Sequence, residues 1–402
     1  MPRVLLLLPT STYRAPDFVA AATRLGVEVV VGSEHRQALA GPMGDRAVVV
    51  PLAHPVAAVD AIAALHERAP LDAVVAVDDQ GTVVAAAAAE RLGLLHNSPG
   101  AVSMTRHKGA MRAVLTAASL PQPAYRMVPP GGDVVAAANA VGYPCVVKPV
   151  SRSGSQGVIR ANGAREAEAA GVRVRAMLGE DREELVVEQF VPGHEVAVEG
   201  LLRGGVLEVL AVFDKPDPLD GPFFEETIYL TPSRHSTNVL ADVKASTAAA
   251  LVALGLNEGP IHAELRLGAG RTVTLIEAAA RSIGGMCARA LRFGAGMSLE
   301  EVILAHALGL GTAGVTRESQ ASGVMMLPIR SAGVLDQVTG QARALDVEGV
   351  AGVEITIAPG RPLVPLPEGD RYLGFIFARG STPASVEDSL RRAEACLGVR
   401  LR

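Results

Sequence analysis

Four short apolar runs alternate with amphipathic segments over the first hundred residues, and this alternation narrows the fold more than any other feature of the chain. Arg3–Leu8, Val27–Gly32, Val48–Leu52 and Ala73–Val77 read as strands, and Ala15–Leu25, Val56–Arg68 and Thr82–Leu92 as helices. Strands that are apolar on both faces must be covered on both. The pattern therefore predicts a parallel sheet between helical layers. The loop after the first strand, Pro9-Thr10-Ser11-Thr12-Tyr13, lacks the glycines of a dinucleotide-binding turn. This argues strongly against a nicotinamide dehydrogenase.

Beyond residue 100 the pattern changes. Pro99–Leu120 reads as a helix with Ser103 as an N-cap, and Asp133 caps a helix from Val134 to Val141. Cys145–Val150, Val158–Arg160, Glu184–Phe190, Glu195–Leu202 and Val206–Phe213 read as strands, with a helix over Arg165–Leu178. Pro216–Pro222 is an irregular loop, Asn238–Leu254 a helix, and Pro260–Leu267 with Thr272–Ala278 a hairpin. From about Ser322 strands return, followed by a closing helix, as a separate α+β tail.

Bulk properties remove several function classes. The net charge is −5 with no basic stripe, so no nucleic-acid partner is expected. The apolar runs are too short to cross a bilayer, and no secretory leader is visible. Cys145, Cys287 and Cys396 lie far apart with no CxxC pair, which fits a reducing cytoplasm better than a disulfide framework or thiolate zinc site. Small-molecule partners remain, and assembly as a homodimer stays open.

Of 37 basic residues only Lys108, Lys148, Lys215 and Lys244 are lysines. Where arginine serves almost everywhere, a retained lysine marks a place that needs a compact ammonium. Lys148 ends the strand Cys145-Val146-Val147-Lys148-Pro149 and shares a face with Val146, while Cys145 and Val147 face a core. The loop Ser151-Arg152-Ser153-Gly154-Ser155-Gln156-Gly157 follows, offering backbone N–H groups and small hydroxyls to phosphate oxygens. No Gly-Lys-Ser/Thr ends it, so it is not a Walker A loop. His107, beside Lys108, is assigned no role, and Lys244 is expected on a solvated helix face.

The hairpin supplies acidic groups. If Gly268–Arg271 is the turn, Leu267 faces Thr272 and Glu264 opposes Leu275, with Glu277 diagonal to Glu264 on the same face. Diagonal carboxylates about 7–8 Å apart can close around a metal ion. His262 would oppose Glu277, while Ala263, Leu265 and Ile276 would face the core. Oxygen-only donors favour Mg²⁺. Arg281 joins the same face if the strand continues, and Gly284-Gly285 permits close ligand approach.

These pieces, in this order and with Val186-Val187-Glu188-Gln189-Phe190-Val191-Pro192-Gly193-His194-Glu195 between them, resemble the ATP-grasp superfamily. Within it, the chain is most similar to carboxylate–amine ligases related to bacterial L-amino acid ligases. The resemblance implies an α/β and α+β architecture in three parts: a parallel-sheet amino-terminal domain (1–100), a two-lobed nucleotide-binding domain (101–321, with a mobile lid at about 125–190), and a carboxy-terminal α+β lobe (322–402). It implies ATP bound by Lys148 under the loop residues Ser153, Gly154, Ser155 and Gly157, with Lys108 reaching the triphosphate from the other lobe. Glu188, Gln189, Phe190 and Val191 would meet adenine and Glu195 the ribose, while Glu264 and Glu277 would hold Mg²⁺, or Mn²⁺ in its place.

The expected reaction is ADP-forming ligation of a carboxylate to an amine, with amino acids as substrates, through an acyl phosphate that releases phosphate. Arg281 would hold the acid, Lys215 would touch substrate or γ-phosphate, and Glu226 would contact amine or metal. Ala279 stands where many relatives have Asn, and Tyr229 where relatives have the His of a Glu-Thr-Gly-His run. An ATP-grasp carboxylase or purine-pathway ligase, and a catalytically inactive nucleotide-binding regulator, are the alternatives.

Overall fold

A computed structural model of the chain describes all residues except Ser11, residues 37–39, Asp181 and Ala313. Ser11, in the loop after the first strand, thus lies outside the described residues.

The amino-terminal strands pair in parallel in the order Ala47–Val49, Glu28–Ser33, Arg3–Leu7, Ala73–Ala76. Their alternation works as expected of a sheet covered twice. Leu5 and Leu7 pack with Ile62, Leu65 and Val84 on one face. Val4 and Leu6 pack with Phe18 and Leu304 on the other.

The segment expected as one helix from Pro99 is two, Pro99–Arg106 and Lys108–Ala117. Ser98, not Ser103, caps the first by accepting from the Ala101 N–H at 3.3 Å. His107 has extended backbone, and its ring accepts from the Ala110 N–H at 3.1 Å, so it caps the second helix. The break sets Lys108 at a helix start, where its own N–H donates to the Val150 carbonyl at 3.0 Å.

Three further sheets follow among the described residues, one of them a small sheet of Pro362–Leu363, Gly333–Thr339 and Gly398–Leu401 in the carboxy-terminal part. An antiparallel sheet of Tyr125–Val128, Leu185–Gln189, Cys145–Pro149 and Ile159–Ala161 carries the helices Val134–Val141 and Ala164–Leu178 on one face. A larger sheet runs Val273–Ala279, Gly259–Leu267, His194–Arg203, Val206–Lys215, Ile228–Thr231, Ala321–Leu327, Gly374–Gly380, Val350–Ile355. Its last three strands belong to the tail expected to be separate, and the structure corrects that expectation. Ile228–Thr231, assigned to no element from sequence, bridges Val206–Lys215 to Ala321–Leu327. Every residue of Ala321–Leu327 is buried, with Val324 and Met326 in one core and Met325 and Leu327 in another, so it could not be a solvent edge.

The hairpin is registered differently from the sequence reading. Leu267 faces Val273, which makes the turn one residue longer than supposed. That shift alone would send Glu277 to the core face. A β-bulge between Leu265 and Glu264 adds a second one-residue shift, so Glu264 opposes Glu277 directly and His262 opposes Ala279. Leu275 joins the core instead of Ile276, and Ile276 and Glu277 both reach the cleft.

The amino-terminal sheet docks through charge as well as apolar surface. Arg14, 1% exposed, pairs with Glu300, 2% exposed, at 3.2 Å and also donates to the Val77 carbonyl. Arg14→Met would leave Glu300 buried without a partner. It should destabilise the chain by about 3–5 kcal/mol, read as a lower urea midpoint; an unchanged midpoint would show that the pair is dispensable.

Candidate active site

A cleft of about 680 Å³ lies between the antiparallel sheet that carries Lys148 (the expected lid), the large sheet and the amino-terminal sheet. This is within the size range of small-molecule sites. Val146 and Lys148 line it from the lid, while Cys145 and Val147 fill the lid core, as strand alternation requires. Lys148 is buried and pairs with Glu188 at 2.6 Å. Burial pushes its ammonium pKa down, and the Glu188 charge only partly offsets this.

Glu188 is also held by Arg112, whose Nε and Nη2 donate at 2.8 and 3.2 Å. Burial alone would raise its carboxyl pKa, but the Arg112 and Lys148 charges outweigh it and hold the group at about 2. The Glu188 side chain lines the cleft beside Gln189 and is held by two cations. Arg112 was missed from sequence, although it lies one helical turn beyond Lys108 on the same helix.

Lys108 lies under the Ser/Gly loop, donating to the Arg152 carbonyl at 2.6 Å and pairing with Glu277 at 3.4 Å. Ser153, Gly154 and Ser155 line the cleft, and Gly154 and Ser155 both have left-handed backbone. Gly157 does not line it. Its N–H donates to the Pro367 carbonyl at 2.9 Å, and an added Cβ would lie 3.0 Å from Pro149. It serves loop docking rather than phosphate contact, a correction to the sequence expectation. Gln189, Phe190 and Val191 also line the cleft.

Lys215 departs furthest from expectation. It closes the strand Val206–Lys215, is buried, and lies behind the carboxylates that line the cleft. Its ammonium donates to Glu195 at 2.6 Å, to Glu264 at 2.9 Å, and to Glu226. An ammonium has three N–H donors, and three carboxylates take them. The Tyr229 ring packs 4.8 Å from the same nitrogen, and its hydroxyl donates to Glu226 at 2.6 Å. Burial would lower the Lys215 pKa, but the three glutamates raise it well above its ordinary value.

Each carboxylate has further partners. Glu195 lines the cleft and accepts from Arg266 Nε at 2.7 Å, so both its oxygens have cationic partners. His262 bonds Glu199 at 2.5 Å and approaches Glu264 at 3.5 Å. Burial would lower the His262 pKa, yet these carboxylates raise it to about 9, so the ring is an imidazolium near neutrality. Burial raises the Glu226 carboxyl and Glu264 adds to this, while the Lys215 charge drives Glu264 the other way. Arg266 and Glu199 were missed, although alternation places Arg266 on the face of Glu264 and His262.

Glu195, Glu226 and Glu264 are the carboxylates that converge closely enough to hold a cation among the described residues, with ligand atoms within 4.8 Å. Glu277, the other expected metal ligand, is instead opposed to Glu264 and paired with Lys108. Arg281 lines the cleft and donates to Asp79 at 2.9 Å. Lys244 is exposed, as expected.

Comparison with known proteins places this geometry. Residues 141–290 match the ATP-grasp domain, residues 19–95 the ATP-grasp N-terminal domain, and residues 325–402 the L-amino acid ligase C-terminal domain 2. Alanine–anticapsin ligase of Bacillus subtilis is 28% identical over 219 residues, 50% of this chain and 46% of that protein. The chain spans about half the length of most of the curated relatives it matches, and 61% of one of them. The L-amino acid ligase of Bacillus licheniformis superposes with a TM-score of 0.82 at 24% identity, covering 100% of this chain and 99% of that one. N5-carboxyaminoimidazole ribonucleotide synthetase of Thermotoga maritima gives 0.75 at 17% identity, covering 100% of both.

Lys215→Met should cost about 3–5 kcal/mol, because it leaves buried carboxylates without their cation. Lys215→Arg should recover little of this, since a planar fork does not match three donors set around one nitrogen. Urea unfolding measures both; a neutral Lys215→Met would show that the carboxylates are protonated or solvated instead.

Proposed function

We propose that this chain, which has the ATP-grasp fold and resembles the L-amino acid ligases, is an ADP-forming carboxylate–amine ligase acting on amino acids in the cytosol. One observation carries the reading. A single cleft gathers two buried lysines and a hydroxyl-rich glycine loop on one side, with opposed glutamates and a guanidinium on the other.

ATP fits this division. Lys148 and Lys108 supply positive charge beneath the Ser153–Ser155 loop, whose N–H groups suit phosphate oxygens. The Gln189 and Phe190 N–H groups are taken by the Ala124 and Pro144 carbonyls, which leaves Val191 as the backbone donor for a purine edge. Val146 and Ile276 supply apolar walls.

Glu264 and Glu277 would hold Mg²⁺ or Mn²⁺. Their hard oxygen donors face one another across the hairpin, which fits such an ion. When bound, the ion supplies charge neutralisation at the transferring phosphoryl group. Arg281 orients the acid so that its carboxylate oxygen attacks the γ-phosphorus of ATP, ADP departs, and an acyl phosphate forms. An amine that has passed its ammonium proton to Glu226 then attacks the acyl carbon, and phosphate leaves and takes up the second proton. The loop is tied down by Gly157 to Pro367 and by Gln156 to the Glu368 carbonyl at 3.0 Å, which limits water entry.

ADP release with Mg-ATP and a panel of paired amino acids tests the proposal. Glu277→Gln should abolish turnover, and Arg281→Lys should lower kcat on the order of 10²-fold because a point ammonium loses the forked contact. Turnover with bicarbonate and with no amino acid pair would favour the carboxylase reading. Near-normal turnover of Glu277→Gln would remove the metal assignment.

A further inference from the structure

The amino-terminal sheet reaches the cleft at a specific place. Its strand order puts Arg3–Leu7 between Glu28–Ser33 and Ala73–Ala76, so chain direction across the sheet reverses at the first and fourth strands. Ligands of open parallel sheets collect outside the carboxyl ends of strands at such a reversal. Here the loops after these strands, carrying Tyr13 and Asp79, both line the cleft.

Asp79 joins two guanidinium groups of the neighbouring domain. Oδ2 accepts from Arg281 Nη2 at 2.9 Å and Oδ1 pairs with Arg106 Nη1 at 2.7 Å. Arg281 also donates from Nη1 to the Ser282 carbonyl at 2.9 Å, and its other N–H groups remain for a ligand. Arg106 lines the same cleft. Burial would raise the Asp79 carboxyl pKa, but the two arginines outweigh it and keep the group ionised.

We propose that Asp79 is the positioning residue for Arg281, holding it and Arg106 as a paired guanidinium seat for the acid substrate's carboxylate, so that the amino-terminal domain helps select the acid. The acid's identity as ligand rests on the function proposed above; the positioning itself rests on the ion-pair geometry. Without Asp79 two like charges would face each other and Arg281 would lose its fixed plane. A purely structural Asp79 would instead act by docking the two domains.

Asp79→Asn, nearly isosteric, separates these roles. Labelling with phenylglyoxal and peptide mass spectrometry should show Arg281 reacting roughly fivefold faster in the variant, as expected for loss of a charge-assisted bond. Arg14, buried at the domain contact, should stay protected. The KM for the most active acid of the panel should rise about tenfold, about 1.4 kcal/mol, while the KM for ATP changes less than about twofold. Equal labelling of Arg281 in both proteins, or exposure of Arg14 as well, would overturn the proposal. If no acid elicits ADP release, the ligase reading fails, and the Arg281 labelling still decides whether Asp79 positions it.

Discussion

The Lys215 ammonium, enclosed by Glu195, Glu226 and Glu264, is the contact on which the site's arrangement depends. The three glutamates come from a strand, a loop and a hairpin that are distant in sequence. Bringing their charges together without water would be prohibitive unless a cation met all of them. Lysine suits the position because its donors radiate from one atom. Arg266 behind Glu195, Tyr229 on Glu226, and His262 with Glu199 behind Glu264 then fix the outer oxygens. The cage faces the cleft with carboxylates whose orientations are set before any ligand arrives.

Around this centre the three sheets divide the work. The lid brings Lys148 and a loop able to close on phosphate. The large sheet brings the opposed Glu264 and Glu277. The amino-terminal sheet brings Asp79 to Arg281 and Arg106. Segments of the carboxy-terminal part complete the enclosure, with Glu368 gripped by Arg173 from the lid helix.

Much of this was legible in the sequence for physical reasons. Alternation placed Lys148 on the cleft face and Cys145 and Val147 in the core, because a strand has no other way to divide them. The scarcity of lysine marked Lys108, Lys148 and Lys215, all buried at the site, and left Lys244 exposed. The hairpin was found but its register was not, since a longer turn and a bulge each shift the pairing by one residue. Arg112 and Asp79 carried no local signal that set them apart from surface charges.

What the sequence determined alone was periodic: which runs are strands, which faces are apolar, and where glycine frees the backbone. These follow from sterics and solvation within a few residues. What only the tertiary structure decided was partnership. Lys215 reads as a loop lysine until three distant carboxylates converge on it, and nothing local in the sequence tells that Lys215 and Arg266 will meet the two oxygens of Glu195. Electrostatic pairing acts through space between groups far apart along the chain, so its outcome is fixed only when the sheets have packed and water has been excluded between them.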